Sequence, residues 1–286
     1  MTESWHQSLA LARSLLFVPA NRPERYAKAL ASGADAVIVD LEDAVAPADK
    51  PAARQTLLQA FAGLDAAQRA RVLVRINAAG SSWHLDDVLA LRALVPQGLS
   101  ALMLSKAESP AALAEVAAAM GPTCALLPLI ESVAGWDAAD ALAACPQVLR
   151  LAFGHLDFQA DAGLACAADE AELVPVRLAL VLASRRAALA APVDGISPGT
   201  QDLTQLTLDA ARGRRGGFGA KLCIHPAQVA LVNAAFAPSA AELDRARRVV
   251  AAFAAAGGGV FSLDGHMVDA PVLRLAQRTL AQAGTR

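Results

Sequence analysis

Eight short apolar runs, each closing on a polar or turn residue, constrain the fold of this chain more than any other feature. They are Leu15–Val18, Val37–Asp40, Val72–Ile76, Ala101–Leu104, Ala125–Ile130, Val148–Phe153, Ala191–Gly195 and Ala220–Ile224. A β-branched run such as Val37-Ile38-Val39 reads as a strand buried on both faces, as in parallel sheets covered by helices. Helical patterns fill many of the gaps: Glu24–Ala31, Lys50–Phe61, Asp86–Leu94, Pro110–Met120, Trp136–Ala143 and Val174–Ala190. Strand and helix alternating eight times predict an α/β protein, a closed (β/α)8 TIM barrel. An open doubly wound sheet is the alternative, but no G-x-G-x-x-G follows the first run. Pro128 is the weak point of the fifth run, because proline donates nothing to a strand ladder.

The tail differs in character. Ser239–Ala256 reads as an amphipathic helix with a capping start at Pro238-Ser-Ala-Ala-Glu242. Gly257-Gly258-Gly259 then suggests a hinge, Asp264-Gly265 a hairpin turn, and Pro271 opens a last helix. We therefore expect a barrel over residues 1–236 and a C-terminal helical and hairpin extension over 237–286, packing on a neighbouring subunit. The chain is 55% apolar but only 4% aromatic, so its core must rest on Ala, Val, Leu and Ile. A net charge of -2 gives no general affinity for nucleic acid or anionic membrane. No apolar run approaches the roughly 20 residues of a membrane span, and the start does not read as a secretory signal. Cys124, Cys145, Cys166 and Cys223 are too scattered for a zinc site and read as free thiols of a cytoplasmic protein.

Chemistry gathers where the strands end. The second run breaks abruptly into Asp40, Glu42 and Asp43, and ionised groups are costly to bury without partners. The other ends supply Arg75 and Asn77, Lys106, Glu131, Asp157, Asp194 and His225. In a barrel these would converge on one mouth, the face where ligands bind. Glu131 and Asp157, on consecutive ends, suit one hard cation, Mg²⁺ or alternatively Mn²⁺, since no histidines or thiolates join them. The competing reading makes each a helix cap. Arg75, inside an apolar strand, needs either the Asp40–Asp43 carboxylates or a substrate carboxylate. Lys106 has the same two options, with Schiff-base chemistry as a third. His84, His155, His225 and His266 read as hydrogen-bonding residues. The Gly213–Gly219 stretch with Arg212, Arg214 and Arg215 is a weak candidate for holding a phosphate.

Seven segments carry a family resemblance: Arg13–Pro19, Gly33–Val45, Val74–Asn77, Leu129–Glu131, Phe153–Asp157, Phe218–Gln228 and Asp264–Pro271. In that order they resemble the citrate lyase β-subunit-like branch of the HpcH/HpaI aldolase superfamily, which includes malyl-CoA and citramalyl-CoA lyases. The resemblance implies a trimeric or hexameric TIM-barrel lyase. It implies Mg²⁺ held by Glu131 and Asp157, with Glu42 and Asp43 one shell out. Arg75 would meet the substrate's carboxylate or thioester oxygen, with Asp40, Asp43 and Lys106 also on the substrate side. Asp269 would enter a neighbouring subunit's site as general acid and base, alongside Arg75 and Glu42 in the catalytic set. The implied reaction cleaves or forms a 3-hydroxyacyl-CoA, such as citramalyl-, malyl- or citryl-CoA, from an acyl-CoA and a 2-oxo acid. The alternatives are a metal-dependent aldolase on a free hydroxy-oxo acid and a non-catalytic subunit of a larger complex. Two positions depart from the family pattern, Ser105 for a usual proline and Ser132 for a usual threonine.

Overall fold

The computed structural model describes residues 2–255 and 259–283. Strands β1 (Ser14–Pro19), β2 (Ala36–Asp40), β3 (Val72–Ile76), β4 (Ala101–Leu104), β5 (Ala125–Ile130), β6 (Ala152–Phe153), β7 (Val193–Asp194) and β8 (Ala220–Cys223) close into a parallel barrel in sequence order. Alternation along each strand sorts the core into two clusters. Leu15, Ile38, Leu73, Met103, Leu127, Leu129, Ala152, Val193 and Leu222 fill the interior. Their neighbours Leu16, Val39, Val74, Leu104 and Ile130 face outward against the helices. This is the period-two consequence of a sheet covered on both faces.

Two features of the closure escaped the sequence reading. A helix over Thr2–Leu11 precedes β1, and its Leu9 belongs to the interior cluster. Arg150 is fully buried and donates to the carbonyls of Leu9 (3.0 Å), Ala12 (2.9 Å) and Ala191 (2.9 Å). Burial without a carboxylate partner at contact distance pushes its pKa down to about 9. The sixth strand is also shorter than expected. Pro128 has no N–H to offer, and the β5–β6 ladder breaks around it into an isolated Leu126–Val148 bridge and the Leu129–Ala152 and Ile130–Phe153 pairs.

The chain divides into compact units at Met1–Phe236 and Ala237–Arg286. In the second, helices Ala240–Ala255 and Ala270–Ala283 share a small core of Ala246, Val249, Val268 and Ala276. Ser239 and Glu242 form the reciprocal cap, with N–H to oxygen distances of 3.2 and 2.7 Å. Strands β9 (Phe261–Leu263) and β10 (His266–Val268) pair antiparallel across Asp264 and Gly265, whose φ values of 52° and 78° are those a type I′ turn needs. Gly257 and Gly258 of the expected hinge lie outside the described residues. No helix among the described residues is long and apolar enough to cross a membrane.

Candidate active site

The strand register sets the site up. Asp40 and Arg75 are paired neighbours at the ends of β2 and β3. Arg75 Nε donates to Asp40 Oδ1 at 2.7 Å and Nη2 to Oδ2 at 2.6 Å, a bidentate pair. Asp40 also accepts the N–H groups of Glu42 (2.9 Å) and Ala44 (3.1 Å). Both oxygens of this buried carboxylate are thereby occupied by the chain. Asp40 holds Arg75 and the turn after β2 while also lining the mouth cavity.

Glu42 and Lys106 continue the network. Arg75 Nη1 lies 2.9 Å from Glu42 Oε2, and Lys106 Nζ 3.4 Å from Glu42 Oε1. Phe17 covers the guanidinium, its ring centroid 4.8 Å away. Lys106 takes a left-handed backbone (φ 43°), and its N–H donates to Glu131 Oε1 at 2.8 Å. Glu131 is 2% exposed, and a Cβ on Gly154 would fall 2.5 Å from its Oε2, so only glycine lets it lie there. Burial, reinforced by the Glu42 charge, pushes the Glu131 pKa up to about 8. Glu42 is raised as well, by burial against the opposing pull of Arg75. Burial works against the Lys106 ammonium, yet the carboxylates of Glu42, Glu131, Asp43 and Asp157 raise its pKa. A raised pKa keeps the ammonium charged, which weighs against Schiff-base formation there.

The capping alternative fails for Glu131, because Ser132 caps the next helix with its hydroxyl accepting from Gly135 at 3.1 Å. Asp157 sits in the first turn of the helix His155–Ala162, without an ion pair or hydrogen bond to its side chain among the described residues. Arg75, Glu131, Asp157, Asp43 and His225 all line one cavity of about 790 Å³ at the barrel mouth. Arg25 and Lys28 line it too, and sequence reading missed both. The phosphate candidate at Gly213–Gly219 dissolves: Gly213 is inside the helix Thr204–Arg215, and Arg212 pairs with Glu170 (2.9 Å) and Asp209 (3.1 Å). His84 and His225 bond the backbone, at Asn77 O (2.9 Å) and Ala227 N–H (3.2 Å). Asp269 belongs to the second unit, where its carboxylate caps the final helix at Val272 N–H (3.1 Å).

A second charged cluster lies across β6–β8. Glu170 receives His155 Nε2 (3.1 Å), Arg177 Nη2 (2.5 Å) and Arg212 Nη2 (2.9 Å). Arg177 Nε reaches Asp194 Oδ1 at 3.1 Å, and Lys221 Nζ donates to Gly195 O at 2.6 Å. Asp194, expected at the mouth, is buried here instead. Burial opposes the ionisation of Glu170, but the hydrogen bond from His155 and the charges of His155 and Arg177 hold its pKa down to about 2.

Fold and mouth together define a class: a (β/α)8 barrel whose carboxylates, arginine and lysine meet at the carboxyl ends of β2–β6. The chain belongs to the HpcH/HpaI aldolase/citrate lyase family, whose pattern matches residues 13–226. It is 38% identical to a citrate lyase subunit beta-like protein of Deinococcus radiodurans, over 95% of this chain and 97% of that one. It is 35% identical to a (3S)-malyl-CoA thioesterase of Cereibacter sphaeroides, over 95% and 94%. Among solved structures it resembles CitE of Mycobacterium tuberculosis in complex with magnesium, acetoacetate and coenzyme A. That match has a TM-score of 0.81 at 37% identity, covering 96% of this chain and 98% of that one.

Proposed function

We propose that this protein is a Mg²⁺-dependent carbon–carbon lyase that cleaves or forms a 3-hydroxyacyl-CoA, releasing or joining an acyl-CoA and a 2-oxo acid. The observation that carries this reading is the gathering of Arg75, Glu131 and Asp157 on one cavity. Magnesium with acetoacetate and coenzyme A in the M. tuberculosis relative supports it. No three His, Cys, Asp or Glu side chains form a closed metal cage among the described residues. Two carboxylates with open positions nevertheless fit Mg²⁺, which keeps sites for water and substrate oxygens. A buried Glu131 that resists ionisation alone is a donor that a cation would stabilise. Mn²⁺ would use the same oxygens.

Glu131 and Asp157 would hold the ion, and Glu42 would orient from behind. When bound, magnesium supplies a Lewis acid for the substrate's carboxylate and hydroxyl oxygens. Arg75 has five N–H groups; three are engaged with Asp40 and Glu42, leaving two for the thioester oxygen. There they would stabilise the enolate that forms as the carbon–carbon bond breaks and the hydroxyl becomes a carbonyl, its proton passing to a general-base carboxylate, for which Asp269 in its ionised form would serve. Asp269 of a neighbouring copy in a trimer or hexamer would give the proton that completes the acyl group, and remove it in the condensation direction. Arg25 and Lys28 suit the phosphates of a CoA ester.

The test is a panel of malyl-, citramalyl- and citryl-CoA assayed with and without Mg²⁺, with products identified. We expect an acyl-CoA and a 2-oxo acid, formed only with metal. Free CoA and a hydroxy acid without oxo acid would establish thioester hydrolysis instead, a second reading that the malyl-CoA thioesterase relative favours. Cleavage of a free hydroxy-oxo acid with no gain from CoA would establish the aldolase.

A further inference from the structure

We propose that Lys50, which does not line the cavity, is a positioning residue that sets the Glu42 side chain against Arg75 and Lys106. Lys50 opens the helix Lys50–Ala62 and is 4% exposed. Its ammonium spends all three protons inside the protein: on Leu41 O at 2.8 Å, Glu42 O at 2.7 Å and Asn77 Oδ1 at 2.7 Å. The Trp83 ring covers it, 5.1 Å from centroid to Nζ. Two of these bonds fix carbonyls of the turn that carries Glu42.

The anchor is itself anchored. Asn77 Nδ2 donates to Leu41 O at 3.0 Å and to Asp87 Oδ2 at 2.6 Å, and Asp87 Oδ1 accepts Arg54 Nη1 at 3.0 Å. A buried chain thus runs from Arg54 through Asp87 and Asn77 to Lys50 and the β2 turn. The carbonyl of Glu42 is held from below by Lys50, while its carboxylate is held from the cavity side by Arg75 and Lys106. With the carbonyl released, the turn is free to shift and to pull the carboxylate against its remaining contacts with Arg75, Lys106 and the Asp43 N–H, and misplacement of about 1 Å costs on the order of a hundredfold in rate.

The assignment rests on the lyase reading for its kinetic arm only. In Lys50→Met we expect kcat per folded molecule to fall about 30–100-fold with KM within about threefold. In a double-mutant cycle with Glu42→Gln, the second substitution should add almost nothing, because Lys50 acts through Glu42. Hydrogen exchange at the amides of residues 41–45 should quicken while β1–β5 stay protected, a readout that needs no substrate. Asn77→Ala, which removes one of the three acceptors, should shift both readouts in the same direction by less. Additive kinetic losses, or unchanged exchange at 41–45 in a folded variant, would overturn the proposal. So would failure of both single variants to fold, which would assign Lys50 to folding. If the wild type cleaves no CoA ester, the lyase reading fails by itself and the exchange arm still decides Lys50.

Discussion

Two buried charge networks flank the barrel mouth, and they differ in their balance of charge. Around Glu170, the guanidinium groups of Arg177 and Arg212 and the imidazole of His155 converge on one carboxylate, with Asp194 behind. Around Glu42 and Glu131, carboxylates outnumber the cations that touch them, and both have raised pKa values. In the first network Glu170 and Asp194 each meet arginine, although His155 Nδ1, Arg177 Nη1, Asp194 Oδ2 and Arg212 Nε find no hydrogen-bond partner among the described residues. The second is short of positive charge where it faces the cavity, the condition expected of a site awaiting a cation and a polar ligand. Balanced charge suits a network that holds the barrel together, and an excess of carboxylates suits one that binds a cation.

The sharpest way to break this contrast is to cut each network once. Glu131→Gln should lower kcat/KM about a thousandfold or more and abolish Mg²⁺ binding by calorimetry, with little change in the far-ultraviolet spectrum. Glu42→Ala should weaken Mg²⁺ binding without abolishing it, and equal loss from both would overturn their ranking. Arg177→Met should do the reverse. It takes from buried Asp194 its arginine and from Glu170 one of three partners, so denaturant unfolding should report a loss of about 3–5 kcal/mol. The kcat of the molecules that remain folded should stay within about threefold. A large kinetic loss from Arg177→Met would mean that both networks serve the reaction.

The networks should also give stability opposite slopes with pH. Glu131 has a folded pKa of about 8 against an ordinary 4.5, so between those values the native state keeps a proton that the unfolded chain has released. Metal-free protein therefore loses stability as pH rises through that window. Glu170 lies at about 2 against 4.5; its contribution is present above 4.5 and is lost as pH falls towards 2. Thermal scans of metal-free protein should show Glu131→Gln flattening the alkaline slope and Glu170→Gln flattening the acid one. A shared slope change would mean that the two networks titrate as one.

How much of this is legible in the sequence depends on range. The strands and the Asp40–Asp43 break announce themselves locally, because a β-branched run ending in three acids fits a buried strand that opens onto a polar mouth. Arg75 inside an apolar run demands a carboxylate partner, and register supplies Asp40. Lys50, Arg177 and Lys221 carry no such signal: each lies in a helical or strand pattern that reads as ordinary, and its partners come from 7 to 27 residues away. Arg212 misled for the same reason, since glycines and arginines around it resemble a phosphate loop until the helix Thr204–Arg215 turns it towards Glu170. Pro128 was readable as trouble, but only the paired strands show where the ladder breaks.

The smallest expected effect concerns backbone shape, where the two networks agree. Each places a non-glycine residue in the left-handed region: Lys106 at φ 43° and Glu170 at φ 49°. At Lys106 the conformation aims an N–H at Glu131, and that bond belongs to the backbone, so it survives any side chain. Lys106→Gly should then relieve backbone strain of about 1 kcal/mol, offset in part by the added freedom of the unfolded chain. Lys106→Ala keeps the strain and loses the same ammonium. Its exposed pairing with Glu42 contributes little to stability. The glycine variant should therefore melt a few degrees above the alanine variant, while both lose similar, modest activity through the missing charge. Were alanine the more stable of the two, the left-handed turn would carry no strain, and the N–H that holds Glu131 would come at no conformational cost.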